Sequence, residues 1–81
     1  MQEVKYEITE QDQQIRDQIL SLIMGRHLVQ GIAYFCLVES GKPMSPYDIT
    51  RFLKLSNQSY TCSISKAVGE LVKQGLVKSI T

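Results

Sequence analysis

The chain has no tryptophan, one histidine, two cysteines and two prolines, and aromatic residues make up only 7% of its 81 positions. Each scarcity excludes a class of chemistry. His27 has no Cys, Asp or Glu near it in sequence at metal-ligand or triad spacing, and Cys36 and Cys62 add no zinc pattern to it. The glycines at 25, 31, 41, 69 and 75 are scattered and form no phosphate-cradling loop. Glu10 and Asp12 are a close carboxylate pair, but beside a helical pattern they serve capping and the helix dipole. No enzyme, cofactor or metal is therefore expected. Two distant cysteines are too few for a secreted disulfide framework, so both are expected as reduced thiols, Cys36 packed in an apolar run and Cys62 on an outer helix face. The few aromatics are needed for a core, which disfavours base stacking on single-stranded nucleic acid.

Long apolar runs are missing as well. LVQGIAYFCLV is too short and too interrupted to span a bilayer, and MQEVKYEITE lacks a signal core, so a soluble, cytoplasmic protein with no membrane partner is expected. At this length, with 43% hydrophobic residues, there is room for one domain over residues 1–81 and one modest core. The net charge of +1 conceals an asymmetry. Residues 1–40 hold three cations and six anions, a balance of −3, whereas residues 41–81 hold six cations and two anions, a balance of +4. Positive charge collects in the second half, where it can replace phosphate counterions.

That half, residues 45–77, has the clearest local signals. Ser45 precedes Pro46 and stands three residues before Asp48, the pattern of a reciprocal helix cap with proline at the first helical position. Ile49, Phe52 and Leu53 then share one side while Arg51 and Lys54 point outward. Ser56, Asn57 and Gln58 favour a turn. In the next helix Tyr60, Ile64, Ala67, Val68, Leu71 and Val72 cluster, with Ser59, Cys62, Ser63, Lys66 and Lys73 roughly opposite. This outer face is small, polar and basic. Gly75 is placed to stop the helix in a left-handed conformation, and Leu76, Val77 and Ile80 form a short strand.

Two helices sharing a core, then Gly and a strand, resemble the winged helix-turn-helix family of DNA-binding regulators; SISKAVGELVKQGLV looks like that family's recognition helix and wing entry. The resemblance implies a mainly α fold with a truncated wing and an additional N-terminal helix. It also implies a sequence-specific regulator of transcription that inserts the helix into the major groove of double-stranded DNA. By position, Ser63, Ser65 and Lys66 match groove-facing or phosphate-contacting places, and Lys78 sits where the wing begins, although by helical angle Ser65 lies at the edge of the buried face. Ser59 joins the groove-facing set, Asn57 and Gln58 contact the DNA backbone or its entrance, and Arg51, Lys54 and Lys78 contact phosphates. SNQSYT is longer than the family's usual turn, so either the turn lengthens or the helix gains a turn at its start. The expected place is the cytoplasm, with the nucleoid.

The N-terminal half implies association. Val4, Tyr6 and Ile8 alternate with charges over residues 1–8, giving a strand or arm that pairs with the strand after Gly75 or reaches a second subunit. Over residues 9–40, Thr9 with Asp12 suggests a helix start, and Gly25 either breaks the following helix or lies within one continuous helix. From about His27 to Glu39 the chain is apolar nearly all round, more than one small domain buries on one face. A two-fold homodimer built on these helices is expected. The rival expectation is a protein-interaction module of the same fold, an adaptor or inhibitor that docks on the transcription machinery.

Overall fold

The computed structural model describes residues 4–54 and 59–80, with only the backbone of Ser59. Among them the element order is β1 (Lys5–Ile8), α1 (Gln13–Arg26), α2 (Leu28–Ser40), α3 (Pro46–Phe52), α4 (Ser59–Lys73) and β2 (Val77–Ile80). The architecture is mainly helical with a small antiparallel sheet, as expected. The turn expected at Ser56, Asn57 and Gln58 lies outside the described residues. α4 begins at Ser59, so the helix reaches back to include Ser59, Tyr60 and Thr61.

Capping residues set the boundaries. At α3 the reciprocal cap forms as its residues dictate: the Asp48 amide donates to Ser45 Oγ and the Ser45 amide donates to Asp48 Oδ2, both at 3.1 Å, with Pro46 in the first turn. At α1 the expectation is corrected, because Asp12 itself is the cap, accepting from the Gln14 amide at 2.9 Å and the Ile15 amide at 3.2 Å. Thr9 is used elsewhere. Its hydroxyl lies 2.9 Å from the Gly75 carbonyl and 3.1 Å from that of Leu76, tying the end of β1 to the end of α4. Gly75 has φ +78°, and the amides of Gly75 and Leu76 donate to the carbonyls of Val72 and Leu71, closing the last turn of α4.

The break in the N-terminal helical segment falls at His27, two residues after Gly25. Gly25 is tolerated inside α1, since one helical glycine costs only about 1 kcal/mol and tertiary packing overrides it. His27 takes an extended conformation (φ −138°, ψ 94°), its amide donating to Ile23 and its carbonyl accepting from Gly31. This lets α2 fold back along α1, with the backbone of Gly31 against Met24.

β1 lies between β2 and residue 44. It pairs antiparallel with β2 in the register Lys5↔Ile80 to Ile8↔Val77, while Tyr6 exchanges two hydrogen bonds with Met44 at 2.8 and 3.0 Å. Of the two pairings open to the N-terminal strand, the one within the chain is taken. One core joins all elements: Ile8, Ile23, Tyr34, Leu37, Met44, Ile49, Ile64, Val68, Leu71 and Val77 are buried together with Ala33, Cys36 and Ala67. α4 packs against both α2 and α3. Thr50 is buried, donating to the Pro46 carbonyl at 2.9 Å and lying 3.3 Å from the Thr61 hydroxyl where α3 meets α4.

Three apolar positions depart from expectation. Phe52 is 45% exposed because α3 turns Ile49, Thr50 and Leu53 inward, leaving Phe52 on its outer flank. Tyr60 has the angle of the buried stripe but sits in the first turn of α4, at the stripe's open end, and is 48% exposed. Val72 lies on the stripe's edge and is partly exposed.

Candidate nucleic-acid interface

The outer face of α4 is assembled by the burial of its opposite side. Ile64, Ala67, Val68 and Leu71 are buried, and the same 3.6-residue period carries Cys62, Ser63, Lys66 and Lys73 to solvent. Ser65 is exposed as well, on the flank of this face. Short side chains at 62, 63 and 65 leave the helix surface low around Lys66, whose ammonium has no ion-pair partner among the described residues. Such a face offers hydroxyl donors and acceptors and one free cation to a polyanion.

The other cations divide. On α3, Arg51 is exposed and its guanidinium lies 5.7 Å from the Tyr47 ring centroid, a cation–π contact that orients it. Lys54 is exposed just past α3 in a left-handed conformation (φ +59°). Lys78, assigned to phosphate by position, is exposed and pairs with Glu7 across the β1–β2 ladder at 3.2 Å. Lys73 pairs with Glu70 at 3.5 Å on a well-exposed surface, a contact worth little. Asn57 and Gln58 lie outside the described residues, as does the side chain of Ser59. The structure therefore brings together Ser63, Ser65 and Lys66 on α4, and leaves Lys78 engaged on the sheet.

Sequence reasoning missed two features of this face. Glu70, one turn after Lys66, adds a negative charge to a face read as small, polar and basic, although its spacing from Lys66 already signals it. The second is a shallow groove of about 410 Å³ between the start of α2 and α4, lined by His27, Leu28, Val29 and Gln30 opposite Ser63, Lys66, Ala67 and Glu70. Leu28 is 63% and Val29 43% exposed, so an apolar ledge borders the polar face. It arises from the chain reversal at His27, a long-range event without a local signature.

The remaining chemistry is sparse. Cys62 is exposed and Cys36 buried, both as free thiols, and burial pushes the Cys36 thiol up to about 11. No group of three His, Cys, Asp or Glu side chains suited to a metal occurs among the described residues, and none of their helices is long and apolar enough to cross a membrane. Comparison with family models, curated proteins and solved structures returns no match, so the functional reading rests on geometry and residue chemistry.

Proposed function

We propose that this chain is a winged-helix protein that binds double-stranded DNA in a sequence-specific manner and acts as a small dimeric regulator of transcription. α4 is the recognition helix in this reading. The carrying observation is its two-sidedness: an aliphatic stripe held in the core and a low serine-and-lysine face turned outward. Ser63 and Lys66 enter the major groove, Ser65 approaches its wall, and Arg51 and Lys54 approach phosphates. Lys78 pairs with Glu7 on the exposed side of the sheet, so its charge toward phosphate is partly offset. The pairing of β1 with β2 supports a shortened wing, because the N-terminal strand completes the sheet that a returning wing strand would otherwise close. Dimerisation through the exposed apolar residues of α1 and α2, among them Leu22 and Leu28, sets two recognition helices for a symmetric site.

Lys66→Glu tests the reading. Binding to duplexes selected from a random pool, followed by fluorescence anisotropy, is expected to fall at least tenfold, with thermal unfolding nearly unchanged because Lys66 is exposed. Equal binding by the variant removes α4 from the interface.

A second reading is a protein-interaction module of the same fold, favoured by the apolar ledge of Leu28 and Val29 beside Ser63 and Lys66. Salt separates the two. DNA affinity falls steeply as salt rises, whereas an apolar protein contact holds.

A further inference from the structure

A second concave site lies away from the α4 face, where β1, the start of α1 and the end of α2 converge. Glu7, Ile8, Gln11, Arg16, Leu37, Gly41 and Lys42 enclose a partly closed cavity of about 80 Å³. On the order of 10–15 Å³ of such volume is enough for one water, so a group of four or five heavy atoms fits. Two cationic residues, Arg16 and Lys42, are among its lining. Arg16 Nε is buried without a hydrogen-bond partner among the described residues, while its Nη2 donates to the neutral Gln13 Oε1 at 3.0 Å. Lys42 stands on the rim with no ion pair among the described residues. The lining anion, Glu7, is already matched by Lys78 at 3.2 Å. Arg16 and Lys42 therefore line the cavity without an ion pair of their own among the described residues. A buried guanidinium N–H left unpaired is costly, and a guanidinium fork matches an oxyanion best.

We propose that this cavity is a binding site for a small oxyanion, a carboxylate or a phosphate group, held by Arg16 and Lys42 with help from the Gln11 amide. Gln11 lines the cavity, and its Nε2 now donates to the Ile8 carbonyl at 3.2 Å, which leaves the amide one N–H to spare. A bound anion bridges α1 to the turn after α2 and so fastens the N-terminal strand onto the domain. The site shares no residue with the α4 face and does not depend on the DNA reading.

The test is a titration of the full chain with inorganic phosphate and, separately, sodium acetate, each against sodium chloride at matched ionic strength, followed by amide NMR shifts and by Tm. Saturable shifts confined to Gln11, Arg16, Gly41 and Lys42 are expected from at least one oxyanion, with Tm rising by roughly 6–11 °C at about ten times the dissociation constant. Response to phosphate alone assigns a tetrahedral ligand, to acetate alone a carboxylate, and to both a general oxyanion site. Arg16→Gln and Lys42→Gln each weaken the response about tenfold or more, whereas Lys66→Gln leaves it unchanged. Lys42 is exposed, so its variant folds even if the Arg16 variant does not. Shifts no larger than those from chloride, or equal in the Lys42 and Lys66 variants, overturn the proposal.

Discussion

α4 and α2 are both central helices, and they differ in how much of their fate is written in their periodicity. α4 carries one aliphatic stripe against a polar back, and Ile64, Ala67, Val68 and Leu71 are all buried where that stripe falls. α2 is apolar nearly all round, and only Gly31, Ala33, Tyr34, Cys36 and Leu37 are buried, leaving Leu28, Val29 and Phe35 to solvent. A helix with a single apolar stripe has one way to face a core. A helix with several has a choice, which its neighbours make for it.

The sharpest way to break this contrast is to truncate the same side chain on each helix. Leu71→Ala on α4 removes a fully buried side chain and is expected to cost about 2–5 kcal/mol, the range for leucine cavities. Leu28→Ala on α2 is expected to stay within about 0.5 kcal/mol in urea unfolding at low protein concentration. A loss of comparable size at Leu28, growing with protein concentration, would show that its exposed side is covered by a second chain. That outcome would move α2 into the class of fully buried helices.

The same contrast explains what was legible in the sequence. The Ser45–Asp48 cap, the Gly75 stop and the outward turn of Ser63 and Lys66 all follow from short-range stereochemistry or a single period, whereas for the N-terminal strand only its extended character does, its partner being left open between the strand after Gly75 and a second subunit. What was not legible depends on contacts between distant residues. The break at His27 in place of Gly25 follows from how α2 folds back on α1, and the exposure of Phe52 from which flank of α3 meets α4. The engagement of Lys78 follows from a register that puts Glu7 opposite it, 71 positions away. Of the candidate face, the polar residues were visible, whereas the ledge of Leu28 and Val29 was not, since it exists only after the chain reverses.

That reversal offers a second, smaller test. At Gly31 a Cβ would stand 2.7 Å from Met24 Sδ, 2.8 Å from Met24 Cγ and 3.1 Å from Met24 Cα. Intrinsic helix propensity favours alanine over glycine by about 1 kcal/mol, so without that contact Gly31→Ala would stabilise α2. Crowding against Met24 is expected to exceed the gain and give a net loss of roughly 1 kcal/mol. The same change in a Met24→Ala background relieves the two side-chain contacts, and its cost is expected to vanish or reverse. A gain in the wild-type background would mean that Met24 swings aside freely and that the hairpin does not depend on close approach at residue 31.

The smallest effects compare two hydroxyls that sequence pattern alone reads as equivalent helix caps. Ser45 is such a cap, and Ser45→Ala removes the acceptor for the Asp48 amide beneath a buried position, an expected loss of about 1 kcal/mol. Thr9 has no capping bond to lose, because Asp12 already serves α1. Its hydroxyl joins β1 to the carbonyls that end α4, so Thr9→Val, which keeps the side-chain shape, is expected to cost about 0.5 kcal/mol through one exposed hydrogen bond. Hydrogen exchange distinguishes the mechanisms more clearly than the totals do. In Ser45→Ala the amides of α3 lose protection, whereas in Thr9→Val the loss falls on the ladder between β1 and β2 and leaves α1 intact. Loss of α1 protection on replacing Thr9 would restore it as the helix start and remove the tie between the two ends of the domain.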